Sequence, residues 1–295
     1  MARHKCTKTS RQMQNNSIEV LGLIRWSYPS GGRAFRSAQG DLEAKRAKLY
    51  ASERLEHRLF LLEHVVLPCV RGQTDKDFKI AMLMGDQLPD PYRKRVLDLI
   101  ADVPQIKPVF SEEGQEHDQL CRDTMNAMRS PKVAASAQFR LDDDDAIGLN
   151  FVKTTRDVFA DIQPMYEKHG LFGLDFCRGF VMKSTEEDCN FHPISIRFWA
   201  PGMVIFIAPE NDRCMLDFHH LRLWASMPVL MWMDKPMFVR GIHHDNDSDI
   251  SNHGRRSRSF RFNPKRTQRF MRNHFGINAH EISALWAKRL EDETV

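Results

Sequence analysis

Residues 137–149, Ala-Gln-Phe-Arg-Leu-Asp-Asp-Asp-Asp-Ala-Ile-Gly-Leu, set four consecutive carboxylates, Asp142, Asp143, Asp144 and Asp145, between apolar stretches near the middle of the chain. Acid runs ordinarily occupy tails or loops. One that closes a strand-like segment (Phe139, Leu141) and opens an apolar, helix-like one (Ala146, Ile147, Leu149, Phe151, Val152) is held against a core. Adjacent like charges repel by roughly 1 kcal/mol per pair at contact distance in water, and by several times that when partly buried, so the cluster requires a counter-charge. A divalent hard cation, Mn²⁺ or Mg²⁺, answers that need with oxygen ligands, and the residues do not choose between the two ions. Side chains alternate along an extended segment, so Asp142 and Asp144 are expected on one face and Asp143 and Asp145 on the other. The plainer alternative is a solvated acidic turn capping the next helix, although a cap requires a single acid.

Two further segments carry chemistry. Residues 239–249, Val-Arg-Gly-Ile-His-His-Asp-Asn-Asp-Ser-Asp, join two histidines to three acids, and histidine is the commonest metal ligand. Asp245, Asp247 and Asp249 have the spacing of a calcium loop but lack the glycine and terminal glutamate of the twelve-residue hand; a hydrated loop is the other reading. Arg255, Arg256 and Arg258 follow in a Ser- and Gly-containing stretch. Guanidinium groups bind phosphate oxygens in bidentate fashion, so this loop suits closure over a diphosphate with exclusion of water. It equally suits a basic surface.

The elements that would position these groups alternate. Residues 1–17 read as a disordered leader. A first strand spans 18–26, followed by a turn-rich break. An amphipathic helix from about Asp41 to Leu67 should stop at Pro68. Strands are expected at 78–84 and 106–110, and helices from Asp90-Pro91 and over 117–128. This is the winding of an open, mostly parallel sheet, which binds ligands at the C-terminal ends of its strands. After the acid run a helix should reach His169, with Pro164 dividing it and Gly170 ending it. Strands at 176–182, 191–199 and 203–208 form an antiparallel extension, the last two as a hairpin at Pro201-Gly202. Asn263-Pro264 opens a helix that Gly276 ends, and Asn278 with Glu281 opens a last one.

With 295 residues, 42% of them hydrophobic, the chain can bury one large core. One α/β domain over 18–295 is expected, with a nucleotide-binding half (18–150) and an acceptor-side half (151–295). No run of about 18 apolar residues and no signal-peptide stretch is present, which implies a cytoplasmic protein, at most resting on the inner face of the membrane. Six scattered cysteines read as reduced core thiols. The net charge of +4 is uneven: residues 254–272 hold eight basic groups and no acid, suiting a phosphate-rich ligand or an anionic surface.

The Leu-Asp-Asp-Asp-Asp-Ala-Ile run resembles the metal-binding Asp-x-Asp signature of GT-A glycosyltransferases. Together with Leu-Ile-Arg-Trp-Ser-Tyr (23–28), Leu-Pro-Cys-Val-Arg-Gly-Gln-Thr-Asp-Lys-Asp-Phe (67–78) and His-His-Asp-Asn (243–246), it makes residues 18–250 similar to the bacterial rhamnosyltransferase family. The resemblance implies a GT-A-like open, mostly parallel twisted sheet with flanking helices. It implies a metal at Asp142 and Asp144, with Asp142 also near the ribose, and a late histidine, His243 or His244, completing the shell. It places Arg25 on the nucleotide and Arg122 on the donor phosphates, with Arg255 and Arg256 joining them. An Asp or Glu must deprotonate the acceptor hydroxyl if the reaction inverts; Asp217 stands about where the family's base occurs, with Glu210, Asp212 and Asp175 as rivals. The implied donor is a nucleotide-diphosphate sugar, dTDP-rhamnose by the family's name, and the implied acceptor a growing glycan. Either arginine also suits a surface ion pair, and Asp217 suits a plain helix cap.

Two other classes compete. A metal-dependent phosphohydrolase or nucleotidyltransferase needs the same clustered acids, histidines and arginines. A basic protein binding an anionic ligand would use 254–272 and be indifferent to Asp142 and Asp144; nucleic acid is not the expected partner. Trp199, Trp224 and Trp232 suit either stacking on an acceptor sugar or core packing.

Overall fold

The computed structural model describes residues 17–32, 40–184, 189–243 and 257–285. The leader, His244, the Asp245–Asp249 loop, Arg255 and Arg256 lie outside the described residues.

Strand β1 (Ile18–Arg25) is apolar on both faces, as a strand covered on two sides must be. It lies parallel to β2 (Lys79–Gly85) on one flank and β4 (Ala135–Arg140) on the other, with β3 (Ile106–Ser111) parallel beyond β2. Val20 and Ile24 point into the larger core, whereas Leu21 and Leu23 join a second cluster on the opposite face with Leu120, Cys121 and Met125 of a helix (His117–Met128). Gly22 is bare because a Cβ there would lie 2.6 Å from the Phe139 ring. Beyond β4 the sheet turns mixed: β9 (Met203–Ile207) runs antiparallel to both β4 and β6 (Leu171–Phe176), and β10 (Val229–Trp232) is parallel to β6. The order is β10-β6-β9-β4-β1-β2-β3. The fold is therefore the expected α/β arrangement, a mostly parallel central sheet flanked by helices.

A second sheet, in the order β12-β8-β7-β11-β5, contains β5 (Ala146–Ile147), β7 (Arg178–Ser184), β8 (Cys189–Ile196), β11 (Phe238–Ile242) and β12 (Ser257–Arg258). This corrects the expected hairpin, since 189–196 and 203–207 belong to different sheets. The chain between them turns at Phe198, at φ 57°, and through a short 3₁₀ turn over Ala200–Gly202. The strand expected at 176–182 is also two strands, divided at Cys177 where the chain passes from one sheet to the other. Ala146 and Ile147 open no helix; they pair with Val239 and Phe238.

The prolines behave differently from expectation. Helices Leu42–Leu49 and Ser52–Leu61 are separate, and the second continues through Pro68 to Arg71. Proline lacks an N–H and its ring crowds the carbonyl four residues back; a π turn over Leu62–Val66 widens the helix just before it. Helix α6 (Phe151–His169) runs unbroken past Pro164. Pro164 and Ala160, whose carbonyl loses its helical donor, both face solvent. Gly170, at φ 65°, ends the helix as expected. The buried face of α6 brings Phe151 to 5.2 Å of Phe139 and 5.0 Å of Phe176 between ring centroids, each such ring contributing about 1.5–3 kcal/mol by burial. Cys69, Cys121, Cys177, Cys189 and Cys214 are buried free thiols. Among the described residues no helix is long and apolar enough to cross a membrane.

Candidate active site: an acidic turn caged by arginines

Strand β4 stops at Arg140, and the four acids form a turn rather than its extension. Leu141 is fully buried, its N–H donating to the Leu23 carbonyl at 3.1 Å. Ala146 and Ile147 are buried at the other end. Between these apolar anchors the Asp145 N–H donates to the Asp142 carbonyl at 3.2 Å. The alternation expected of an extended segment is thereby lost. Asp142 and Asp144 do share a site, but Asp145 joins them: each of the three offers an oxygen within 4.8 Å of the others. Asp143 turns away to Arg58, whose Nη1 donates to it at 2.7 Å.

The counter-charges are arginines from distant parts of the chain. Asp142 accepts from Arg25 at 3.1 Å, Arg140 at 3.2 Å and Arg240 at 2.8 Å. Arg240 Nη1 also donates to Asp145 at 2.7 Å, and the Gly241 N–H donates to the same carboxylate at 3.0 Å. Arg58 lies 3.4 Å from Asp144, which meets His243 Nε2 at 3.0 Å. The His57 ring packs edge-on against His243 at 4.6 Å. The four carboxylates thus face the guanidiniums of Arg25, Arg58, Arg140 and Arg240 in a largely buried site. Burial opposes ionisation of Asp142, but Arg140, Arg25 and Arg240 outweigh it and hold the carboxyl well below its usual range. Asp144 is likewise held low: burial is outweighed by the His243 bond with Arg240 and Arg58. Asp143, with Arg58 opposed by burial and by Asp144, is pushed up to about 6. The two acids held ionised are the Asp-x-Asp pair.

Arg25, Asp142, Asp144 and His243 therefore converge as expected. Arg122 and Asp217 do not join them but meet each other: Arg122 donates to Asp217 at 2.5 and 3.0 Å. Asp217 ends a 3₁₀ turn and accepts from the Cys214 N–H at 2.7 Å, so it braces that turn instead of opening the expected helix. Burial raises its carboxyl, yet the Arg122 bond carries it below its ordinary value. Among the rivals, Asp175 is buried and accepts from the Phe198 N–H at 2.7 Å, while Glu210 and Asp212 are outside the cluster. Sequence reasoning passed over Arg58, Arg140 and Arg240. Arg140 directly precedes the acids and Arg240 stands three residues before His243, which were usable signals; Arg58 lay hidden in an amphipathic helix.

The family whose model covers residues 19–255 is described as "Putative rhamnosyl transferase". The chain belongs to this family of glycosyltransferases. No curated protein matches it. Among solved structures, S. aureus TarS 1–349 is similar at 8% identity over 76% of this chain and 60% of that one, with a TM-score of 0.37. The same protein in complex with UDP-GlcNAc gives 7% identity, 77% and 59% coverage and a TM-score of 0.38. The chain thus spans about 60% of the length of those structures. The match includes Arg25, Arg58, the acidic turn, Arg240 and His243, so every side chain of the cage lies inside the family's region.

Two expected results arise from this geometry. Gly241 passes directly over the turn, and a Cβ there would overlap the Asp144 carbonyl oxygen and lie 3.0 Å from the Asp144 Cβ. Gly241→Ala should therefore displace the acids, reducing transfer about 100-fold while overpacking costs only about 1–3 kcal/mol in unfolding free energy. Steady-state kinetics and denaturant unfolding of the variant check this. The second concerns His117, which joins Arg25 at 2.9 Å through Nε2 and Asp118 at 2.8 Å through Nδ1. Burial, then the Arg25 charge, holds His117 below its ordinary value, so the neutral ring accepts from Arg25. The unfolded chain takes up this proton more readily, so stability is fully present above about pH 6.5 and falls as the pH drops toward the folded value. His117→Gln should flatten that decline in thermal unfolding between about pH 7.5 and 5.5; an unchanged slope would contradict the assignment.

Proposed function

We propose that the acidic turn is the donor site for a nucleotide-diphosphate sugar, and that the protein transfers the sugar to a hydroxyl of a glycan acceptor in a divalent-cation-dependent reaction. The observation that carries this reading is the convergence of Asp142, Asp144 and Asp145 within 4.8 Å at the C-terminal end of a parallel strand, where open sheets receive nucleotides. Three hard oxygen donors suit Mg²⁺ or Mn²⁺, which fill their remaining positions from phosphate and water. When bound, the cation supplies charge stabilisation for the departing diphosphate.

The chain's own residues do the rest. Asp142, Asp144 and Asp145 would hold the cation, with His243 orienting Asp144. Arg240, bonded to two of these carboxylates, keeps them together. The guanidiniums already neutralise the acids that are held ionised, so a cation entering alone adds to an excess of positive charge. A diphosphate entering with it removes that excess, and the two therefore bind together. Arg25, at the end of β1, would meet the nucleotide, and Arg255 and Arg256 are the guanidiniums assigned to its phosphates. With Arg122 donating two bonds to it, Asp217 serves as a structural brace and not as the base. Rhamnose on deoxythymidine diphosphate is the donor to try first, on the strength of the family's name.

The test is release of nucleoside diphosphate from a panel of nucleotide sugars, with and without chelator. Release from one donor class, stopped by chelation and stimulated by a glycan, is expected. Cleavage of plain nucleotides with no sugar requirement would instead indicate a phosphohydrolase.

A further inference from the structure

Two non-glycine residues among those described adopt a left-handed backbone, Ser27 at φ 50° and Phe198 at φ 57°. For a bulky side chain this is a strained conformation, which persists only where the surroundings hold it. Asp175 holds it here. The Phe198 N–H donates to Asp175 Oδ2 at 2.7 Å, and the Cys177 thiol donates to the same oxygen at 3.4 Å. Asp175 itself is completely buried. The backbones are stitched together at the same place, the Ile196 N–H donating to the Cys177 carbonyl and the Cys177 N–H to the Trp232 carbonyl, both at 2.9 Å.

Phe198 lines a wide cleft of about 1170 Å³ with Leu221, Trp224, Val229 and Met231. Four large apolar side chains are exposed among the described residues, and Trp224 at 66% and Met231 at 49% are two of them. Trp199, by contrast, is buried and packs on Phe238 at 5.7 Å. The sheet sets this cleft beside the acidic turn. Strand β9 is antiparallel to both β4 and β6, so β4 and β6 run the same way and end at the same edge. Val204 of β9 lies opposite Phe139 on one side and Leu174 on the other, and Arg140 and Asp175 each stand one residue beyond. Arg140, which bonds Asp142 at 3.2 Å, is therefore two strand spacings from Asp175, about 10 Å.

We infer that Asp175 is a positioning residue: by fixing Phe198 it sets an aromatic platform, completed by Trp224, on which sugar rings of the acceptor stack. The inference rests on the glycosyl transfer proposed above. Aromatic faces on a cleft wall offer apolar contact to the C–H face of a pyranose ring, while the indole N–H of Trp224 stays wet. The cleft exceeds the roughly 300–1,000 Å³ of ordinary small-ligand pockets, which favours several units of a saccharide chain over one monosaccharide. Asp175 is too deeply buried to meet an acceptor hydroxyl, so it acts through Phe198 and not as the base.

The experiment titrates the full chain by calorimetry with hexasaccharides of glucose, galactose, mannose and rhamnose, each beside its monosaccharide. Wild type is compared with Asp175→Ala, Asp175→Asn, Phe198→Gly and Trp224→Ala, at a temperature where circular dichroism shows each variant folded. Glycine adopts the left-handed backbone without strain, and Trp224 is exposed, so those two variants should fold. At least one hexasaccharide should bind about tenfold more tightly than its monosaccharide and lose about tenfold in Phe198→Gly and in Trp224→Ala. Asp175→Ala should lose as much although the ring remains. Asp175→Asn, whose amide oxygen still accepts from the Phe198 N–H, should stay within about twofold of wild type. With Phe198→Gly already in place there is no strain left to hold, so adding Asp175→Ala should lower affinity no further. Wild-type affinity in Phe198→Gly or in Asp175→Ala would overturn the inference, as would a further loss in the double variant. So would an Asp175→Ala chain that fails to fold and is not rescued by Phe198→Gly. Absence of binding to every hexasaccharide would overturn it too, and binding to phosphatidylglycerol vesicles in that case would make the cleft a membrane-facing surface. A parallel titration with nucleoside diphosphate and Mn²⁺ separates the two readings. Its failure alongside hexasaccharide binding would remove the donor site and leave the platform standing.

Discussion

Replacing Arg240 with alanine should cost about 3–5 kcal/mol of stability, a fall in Tm on the order of 10 °C, and the loss should be recovered in part by Mn²⁺. Arg240 is buried, 5% exposed, and its guanidinium spans Asp142 at 2.8 Å and Asp145 at 2.7 Å. Without it three carboxylates converge in a largely buried site, and each raises the cost of ionising the next. A divalent cation can take over that charge in the variant, whereas in the wild type the guanidinium competes for the same oxygens. Thermal unfolding with and without Mn²⁺ checks this. A variant as stable as wild type, or one indifferent to the ion, would contradict the proposed role of Arg240.

Asp144→Asn has the largest expected effect on activity. Asp144 meets His243 at 3.0 Å and is one of the three converging carboxylates. An amide keeps the shape but loses the charge, and transfer should fall by about 100- to 1,000-fold, the loss typical of removing one preorganised electrostatic group from an active site. Its structural cost should be smaller than that of Arg240→Ala. Arg58 retains Asp143, its closer partner at 2.7 Å against 3.4 Å for Asp144, so about 1–3 kcal/mol is expected for the weakened hydrogen bonds. Activity near wild type would contradict the assignment. A collapse in stability larger than that of Arg240→Ala would show that the cage is held by Asp144 instead.

The position of this site was legible in the sequence because apolar residues flank the acids. Leu141 on one side and Ala146 and Ile147 on the other anchor the run to the core, and a charged segment pinned at both ends cannot drift into solvent. Its shape was not legible. Period-two alternation holds only while the backbone stays extended, and β4 ends two residues before Asp142, so Asp145 rather than Asp143 completes the trio. The need for counter-charge was likewise correct, but the residues that meet it come from positions 25, 58, 140 and 240, which only the fold brings together. Proline was over-read as a stop. Pro68 is accommodated by a π turn and Pro164 by exposure, and neither compensation leaves a mark in local propensity. The strands of 171–207 were misjoined because a short apolar run carries no signal of which sheet it enters.

The most direct test of the account follows the thermal stability of the wild-type protein with a panel of nucleoside diphosphates, Mn²⁺, and both together, with Asp144→Asn in parallel. The guanidiniums that already neutralise the ionised acids predict that Mn²⁺ alone does little, that one nucleotide with Mn²⁺ raises Tm well beyond the sum of the separate effects, and that the variant loses this synergy. Stabilisation by a nucleotide that is equal with and without the ion, and equal in Asp144→Asn, would contradict the central claim that the acidic turn binds donor and cation as one unit.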